Sequence, residues 1–253
     1  MKKFKEMLKE PKPILGSWIT LGVPAIAEIM AKSGFDWLAV DMEHSSITFS
    51  QAEELIRVID LAGCRPLVRV GENNPGIIKR VMDSGAHGVI VPMVNNRQDA
   101  VKAVEAVRYP PKGKRGVGLF RAQGYGLNFE EYKKWLSSDS VVVVQIEHIQ
   151  AIDNLEEILA VEGVDASIIG PYDLSASMGY PGDYERQDVK EAVKRYQEVC
   201  KAVKKPAGYH VVPCQASLVD EKMREGFLFL AFSLDTVFLG SNIHKELKSL
   251  GRD

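Results

Sequence analysis

Polar side chains follow several apolar segments of this sequence. One group of these side chains could carry out acid–base chemistry. The segment Trp37-Leu38-Ala39-Val40 runs directly into Asp41-Met42-Glu43-His44. A histidine beside a carboxylate can be oriented and kept basic, as a general base at neutral pH requires. We therefore predict that His44 and Asp41 work as an acid–base pair. The alternative is a structural His44 bonded to a loop carbonyl.

Two further carboxylates have the chemistry of metal ligands. Glu147 ends an apolar run that begins at Val141, and Asp173 follows the next such run in Gly170-Pro171-Tyr172-Asp173. Carboxylate oxygens from neighbouring strand ends suit Mg²⁺ or Mn²⁺, with Co²⁺ as a further candidate, and they leave positions for water and substrate. The alternatives are ion pairs or helix caps, and capping competes most strongly at Asp173.

Arg69 closes the apolar run Pro66-Leu67-Val68-Arg69. A buried arginine can stabilise an enolate oxygen or clamp a carboxylate, and it can also be the ion-pair partner of Asp41 or Glu43. The two roles are compatible. A Schiff-base aldolase needs a lysine at the inner end of a strand, and the predicted strands contain none. A carbanion is therefore better stabilised here by a metal than by an imine.

Eight short β-branched runs alternate with longer segments of helical period. This alternation predicts parallel βαβ units, and eight of them favour one closed (β/α)8 TIM barrel over residues 1–253. The alternative is a doubly wound open sheet, although no GxGxxG opens the first helix. Barrel active sites form at the carboxyl ends of the strands, which would bring the polar residues together. The predicted strands are Ile14–Thr20, Asp36–Asp41, Pro66–Val70, Gly88–Pro92, Val141–Glu147, Asp165–Gly170, Ala207–Val212 and Phe227–Phe232.

The helical patterns lie between and after these strands. Ser50, three residues before Glu53, has the spacing of a capping box at the start of one of them. The predicted helices are Ala25–Ser33, Ser50–Ala62, Pro75–Ser84, Arg97–Val107, Phe129–Ser137, Ala151–Val161, Asp188–Val203, Gln215–Glu225 and Asp235–Leu250.

Composition excludes several classes of function. Lysine and arginine number 32 against 34 acidic residues, a net charge of -2, which argues against nucleic acid as a partner. No apolar run is long enough to span a membrane. The three cysteines form no CxxC pair, which argues against a disulfide framework or a thiolate zinc site. The polar N-terminus does not look like a signal peptide. We expect a cytoplasmic protein with a small-molecule substrate.

One segment interrupts the alternation of strands and helices. Residues 108–128 are rich in glycine, proline and cations, and a loop of this length in a compact barrel is usually functional or an assembly element. Arg121 lies between the Gly116-Val117-Gly118 turn and Gly124-Tyr125-Gly126, and we predict that it binds the aldehyde part of a substrate. Subunit contacts or solvation are the alternative. His210 is expected near the upper rim of strand seven.

The motifs taken together resemble the class II 2-keto-acid aldolases of the HpcH/HpaI family. The resemblance covers nearly the whole chain. The matching stretches are Gly16–Trp18, Asp36–His44, Pro66–Val70, Asp83–Val94, Arg108–Gly116, Gln145–Glu147 and Gly170–Ser175.

The resemblance implies a barrel of the phosphoenolpyruvate/pyruvate-binding type that reversibly cleaves a 4-hydroxy-2-keto acid to pyruvate and an aldehyde. In such an enzyme Glu147 and Asp173 would hold the metal, and the His44–Asp41 dyad would move the proton. Arg69 would stabilise the enolate. Members of this type look like hexamers, trimers of dimers with an exchanged C-terminal helix, which here would be Asp235–Leu250. The substrate-binding residues would be Trp18, Gln145, Tyr172 and Asp173.

Two other functions stay open at this stage. A citramalyl- or malyl-CoA lyase of the same barrel type would need a basic surface for CoA, for which the loop Lys112–Arg121 is the candidate. A non-catalytic keto-acid-binding protein would have lost the dyad or a ligand, and all of them are present. The stretches Arg121–Gly126 and Ala207–Val212 depart from the family pattern, which leaves the aldehyde unidentified.

Overall fold

A computed structural model describes residues 2–252 of the chain. Eight parallel strands follow one another around a closed barrel, and the last pairs with the first. The predicted (β/α)8 barrel is confirmed, the open sheet is excluded, and every strand lies within two residues of its predicted bounds. The strands are β1 (Ile14–Ile19), β2 (Trp37–Asp41), β3 (Arg65–Arg69), β4 (Gly88–Val91), β5 (Val141–Ile146), β6 (Ala166–Ile169), β7 (Gly208–Val211) and β8 (Phe229–Leu234).

Helices surround the barrel much as the periodicity predicts, with three differences. The predicted helix over 151–161 is divided at Asn154, whose side chain donates to the carbonyl of Asn95. The helices α1 and α9 were not predicted, because segments this short show no clear period. The helices are α1 (Phe4–Met7), α2 (Pro24–Ala31), α3 (Phe49–Leu61), α4 (Pro75–Asp83), α5 (Arg97–Val107), α6 (Phe129–Ser138), α7 (Ile149–Asp153), α8 (Leu155–Leu159), α9 (Pro171–Ser177), α10 (Gln187–Ala202), α11 (Ala216–Arg224) and α12 (Asp235–Ser249).

A large aromatic side chain fills the barrel interior below the carboxyl ends of the strands. Trp37 is fully buried and stacks on Phe229 with ring centroids 4.5 Å apart. It fits because Gly16, on the neighbouring strand, has no side chain: a Cβ there would lie 2.0 Å from the Trp37 ring. The lower half of the barrel is therefore a packed core, and only the upper end can hold a ligand.

The loop between β2 and α3 is fixed by a cap at its far end. The predicted capping box at Ser50 and Glu53 is wrong, because α3 begins at Phe49 and its N-cap is Thr48. The Thr48 side chain accepts from the amide of Gln51, and the Gln51 side chain accepts from the amide of Thr48. This box anchors the short loop that carries Asp41 to His44.

The long cationic segment packs against the end of the barrel opposite the strand carboxyl termini. Arg115 is buried and donates to Asp83, 2.6 Å away, and to the Tyr132 hydroxyl. Asp83 ends α4, just before β4, and thus marks the amino-terminal end of the strands. A turn of 3-10 helix, Arg121–Gly126, completes the segment.

The last helix lies outside the barrel with an exposed apolar stripe. Leu239, Ile243 and Leu247 are all exposed in the single chain, and the exchange of this helix between subunits of a hexamer stays a prediction. Within residues 2–252, no helix combines the length and the apolar character that crossing a membrane requires.

The contact between Gly16 and Trp37 yields the first prediction. Gly16→Ala should destabilise the protein by about 3 kcal/mol or prevent folding, because the added methyl group overlaps a buried ring that cannot move. The matched control is Gly240→Ala in α12, where a Cβ meets nothing within 4 Å and should be neutral or stabilising by up to about 1 kcal/mol. Urea unfolding of both variants measures the difference. Equal stabilities would contradict the packing described here.

Candidate active site

A cavity of about 610 Å³ opens at the carboxyl ends of the strands. Five of the residues predicted to act on a substrate line it, and they come from β1, β3, β5 and the loop and helix after β6: Trp18, Arg69, Gln145, Tyr172 and Asp173. The barrel thus brings together side chains that are far apart in sequence. His210 of β7 completes the inner wall.

Arg69 and Asp41 form a buried, two-pronged ion pair at the edge of this cavity. The two residues are paired across β2 and β3, and Nε and one terminal nitrogen of Arg69 lie 2.8 and 2.6 Å from the two Asp41 oxygens. Burial raises the pKa of Asp41, but the guanidinium outweighs burial and holds the pKa below its ordinary value. The pKa of Arg69 is raised despite burial, because Asp41 stabilises its charge. Both groups are therefore ionised.

Glu43 is a third ionisable group beside this ion pair. Its Oε2 is buried, lies 3.3 Å from Nε of Arg69 and makes no hydrogen bond among residues 2–252. Burial raises the pKa of Glu43 to about 7, and the nearby carboxylates of Glu147, Asp41 and Asp173 push it upward against the effect of Arg69. The sequence suggested Glu43 only as an alternative partner for Arg69. Its position among other acids was not predicted.

Glu147 and Asp173 converge on a glycine. Oε2 of Glu147 and Oδ2 of Asp173 each lie 3.6 Å from the point where a Cβ of Gly170 would stand. Glu147 is held in place: it accepts from the amide of Met93 at 2.6 Å and from the Gln145 side chain at 2.5 Å. Oxygens of both carboxylates therefore lie beside the backbone of Gly170, which has no side chain to cover them.

These residues fit a divalent cation. The carboxylates of Asp41, Glu147 and Asp173 all lie close enough to Glu43 to raise its pKa, and Arg69 is the nearby cation that lowers it. Within residues 2–252, no three acidic, histidine or cysteine side chains form a full metal cage. Two carboxylates with open positions are the arrangement that Mg²⁺ commonly uses, since it keeps several waters and binds substrate oxygens. Asp173 is not an N-cap, because Gly170 holds that position in α9.

The predicted contact between His44 and Asp41 is not formed. The His44 side chain is 71% exposed, and its Nε2 lies 3.8 Å from Glu43. Asp41 is already occupied: its oxygens accept from Arg69 and from the backbone amides of Glu43 and His44. Asp41 therefore positions the His44 backbone, and the exposed ring lies beside Glu43 at the rim of the barrel. The alternative for His44, a bond to a loop carbonyl, is likewise not seen among residues 2–252.

Arg121 does not reach this cavity, contrary to the prediction. It donates to Asp60 at 2.6 Å and to the carbonyl of Ser84 at 3.2 Å. Asp60 and Ser84 lie at the carboxyl ends of helices that precede β3 and β4, which is the opposite end of the barrel. Sequence could not show this, because a long loop can fold over either end.

Part of the cavity lining was not predicted. It consists of Tyr184 from the segment after α9, Tyr209 of β7, and Leu218 and Lys222 of α11. The ammonium group of Lys222 bonds to both oxygens of Glu225 at 2.8 and 2.9 Å. Burial lowers the pKa of Lys222, but Glu225 more than compensates and the pKa is raised. Lys222 is therefore protonated, which does not suit it for attack on a carbonyl.

The chain is similar in sequence and fold to several known proteins. A family profile described as "HpcH/HpaI aldolase/citrate lyase" matches residues 15–240. A 2-dehydro-3,6-dideoxy-6-sulfogluconate aldolase from Pseudomonas putida is 37% identical over 96% of this chain and 95% of its own. A 2-keto-3-deoxy-L-rhamnonate aldolase from Escherichia coli is 35% identical over 96% and 91%. A crystal structure of an HpcH/HpaI aldolase/citrate lyase family protein from Burkholderia cenocepacia superposes with a TM-score of 0.92 at 31% identity, covering 97% and 98%.

The crowding of carboxylates around Glu43 generates the second prediction. A carboxyl whose pKa is raised in the folded state loses stabilisation as pH rises from its unfolded value near 4.5 to about 7. Glu43→Gln cannot ionise, so in EDTA it should be more stable than the parent by about 2 kcal/mol at pH 8 and nearly equal at pH 5.

Urea unfolding at the two pH values measures this difference. The control is Glu157→Gln, an exposed carboxyl on α8, which should show no such pH dependence. If Glu43→Gln gained the same stability at both pH values, ionisation of Glu43 would not be the cause.

Proposed function

The chain belongs to the HpcH/HpaI aldolase/citrate lyase family and is an aldolase, and on that premise we propose its reaction. It reversibly cleaves a 4-hydroxy-2-keto acid to pyruvate and an aldehyde, and it depends on a divalent metal ion, Mg²⁺, Mn²⁺ or Co²⁺. The observation that carries the proposal is the convergence of Glu147 and Asp173 on Gly170 beside the Arg69–Asp41 pair.

The pyruvate half of the substrate is expected to bind beside Glu147 and Asp173. Glu147 and Asp173 would hold the metal ion, which when bound supplies a Lewis acid that polarises the keto group. Gln145 keeps Glu147 in place with its amide nitrogen, and its Oε1 is a buried acceptor without a partner among residues 2–252. The backbone near Tyr172 and Asp173 is available for the substrate carboxylate, and Trp18 supplies an apolar wall.

Arg69 stabilises the negative charge that develops during cleavage. It is only 14% exposed, and its direction is fixed by Asp41. A donor fixed in advance needs no reorganisation when charge appears on the enolate oxygen, and its effect is strengthened by the low dielectric of a closed site. A lysine at this position could not form the bidentate hydrogen bonds to Asp41 and would not be held in this orientation.

The hydroxyl proton at C4 leaves through the rim of the cavity. His44 is the proposed acceptor, acting directly or through a water molecule, and Asp41 positions it through the backbone. Loss of this proton lets the C3–C4 bond break into an aldehyde and the enolate of pyruvate, and protonation of the enolate at C3 then gives pyruvate. The reverse sequence is aldol addition.

The position of the cationic loop weakens the alternative of a CoA-thioester lyase. Such a lyase would need a basic surface for CoA, which was expected from residues 112–121. These residues pack at the end of the barrel opposite the cavity, where Arg115 bonds to Asp83 and Arg121 bonds to Asp60. No described residue of this loop lines the cavity.

Metal dependence is the direct test of the reaction. EDTA should abolish release of pyruvate from 4-hydroxy-2-keto acids, and Mg²⁺, Mn²⁺ or Co²⁺ should restore it. Glu147→Ala and Asp173→Ala should lower kcat/KM by about 100-fold or more, because a charged metal ligand is lost. Glu157→Ala on the surface serves as the control. Full activity in EDTA, or borohydride trapping of pyruvate on the protein, would contradict the proposal.

A second test separates proton transfer from enolate stabilisation. His44→Ala should lose aldol cleavage by about 100-fold or more, in line with the usual contribution of a general base. Decarboxylation of oxaloacetate passes through the same enolate but removes no C4 hydroxyl proton, so His44→Ala should retain more of this activity than Arg69→Ala. Both rates are followed through pyruvate. Equal losses of both reactions in both variants would show that the two roles are wrongly divided.

A further inference from the structure

His210 lies on the inner wall of the cavity, one ring away from Arg69. The guanidinium of Arg69 stands over the Trp18 ring at 4.4 Å, and the far side of the wall continues with His210, whose ring is 5.5 Å from Trp18 in an edge-on arrangement. The three side chains form a continuous surface that a substrate must meet. His210 has no part in the chemistry described above.

The backbone determines which nitrogen of this histidine carries the proton. Nε2 lies 3.2 Å from the carbonyl oxygen of Ser233, which can only accept, so Nε2 must be the donor. Ser233 adopts a left-handed conformation with φ 53, and its carbonyl also receives the hydroxyl of Ser17 at 3.2 Å. The proton on Nε2 is thus fixed by a rigid partner.

The other nitrogen is left as an acceptor. Burial lowers the pKa of His210 to about 4, and the nearby charge of Arg69 acts in the same direction, so the ring is neutral at physiological pH. In that tautomer Nδ1 carries a lone pair. Nδ1 makes no hydrogen bond among residues 2–252, and it belongs to a residue that lines the cavity.

An acceptor without a partner, such as Nδ1 of His210, favours a substrate group that can donate a hydrogen bond to it. A carboxylate or a sulfonate oxygen would be repelled by it, and an alkyl chain would leave it desolvated without a partner, which is unfavourable. The carboxylate and keto oxygens of pyruvate only accept hydrogen bonds. The donor would therefore come from the aldehyde half of the substrate. The C4 hydroxyl is the group that loses its proton at His44, so the donor to His210 would be a further hydroxyl group on that half.

We propose that His210 is a specificity-determining residue that accepts a hydrogen bond through Nδ1 from a hydroxyl group on the aldehyde half of the substrate. The inference rests on the proposed aldolase reaction and narrows its substrate class to hydroxylated aldehydes. His210 reads the hydroxyl and does not remove its proton, since so weak a base is poorly matched to proton abstraction at neutral pH.

Two amide variants separate the two nitrogens of the ring. The amide of asparagine can stand near the position of Nδ1, whereas that of glutamine reaches the position of Nε2. His210→Gln therefore keeps a donor to Ser233 and loses the acceptor in the cavity, and His210→Asn does the reverse. His210→Leu loses both. His244→Leu, an exposed position on α12, is the control.

The substrates differ by one hydroxyl group. Aldol addition of pyruvate to propanal, 2-hydroxypropanal and 3-hydroxypropanal is measured as kcat/KM, and deuterium exchange at C3 of pyruvate reports enolate formation without any aldehyde. The parent should prefer at least one hydroxyaldehyde to propanal. This preference should fall about tenfold in His210→Leu and His210→Gln and should persist within about threefold in His210→Asn, with exchange retained in all three.

The other results count against the inference. An unchanged preference in His210→Leu or His210→Gln would show that Nδ1 does not read a hydroxyl. Loss of exchange in folded His210 variants, checked by circular dichroism, would give His210 a role in enolate formation instead. Lack of exchange in the parent with metal present would contradict the proposed function itself, and the inference would fall with it.

Discussion

The site depends on one guanidinium held among acids. Arg69 lies close enough to Asp41, Glu43 and Glu147 for their charges to raise its pKa, and it donates two hydrogen bonds to Asp41. A buried charge is tolerated only when it is paired, and here the acids outnumber the base. The excess negative charge is what a divalent cation would balance. Burial raises the pKa of Glu43, and the neighbouring carboxylates raise it further.

The barrel makes this arrangement possible through its register. Asp41 and Arg69 are paired across adjacent strands, so their side chains meet at the same height on the barrel axis. Trp18, from β1, lies against the guanidinium and shields it from water. Below this level Trp37 and Phe229 fill the interior. The packed aromatic side chains therefore lie directly below the Arg69–Asp41 pair inside the barrel.

Two regions of the site differ in chemistry. The oxygens of Glu147 and Asp173 lie beside Gly170 and favour a cation. Trp18 and His210 line the cavity, and the His210 ring is neutral, with Nε2 bonded to the carbonyl of Ser233. The substrate would then be oriented by the charged groups at its keto-acid half and by a hydrogen bond to His210 at its aldehyde half.

The sequence by itself determined the eight strands, since their short β-branched runs alternate with helical periods, and it determined which strand ends carry Arg69, Gln145 and Asp173. These are local properties of the chain. It offered Asp41 and Glu43 as ion-pair partners of Arg69, but it did not determine that the Arg69–Asp41 pair leaves the His44 ring without a bond to Asp41, nor that the loop with Arg121 folds beneath the barrel. Hydrogen-bond partners and the end of the barrel that a long loop covers depend on contacts between residues far apart in the chain, and only the tertiary structure decides them.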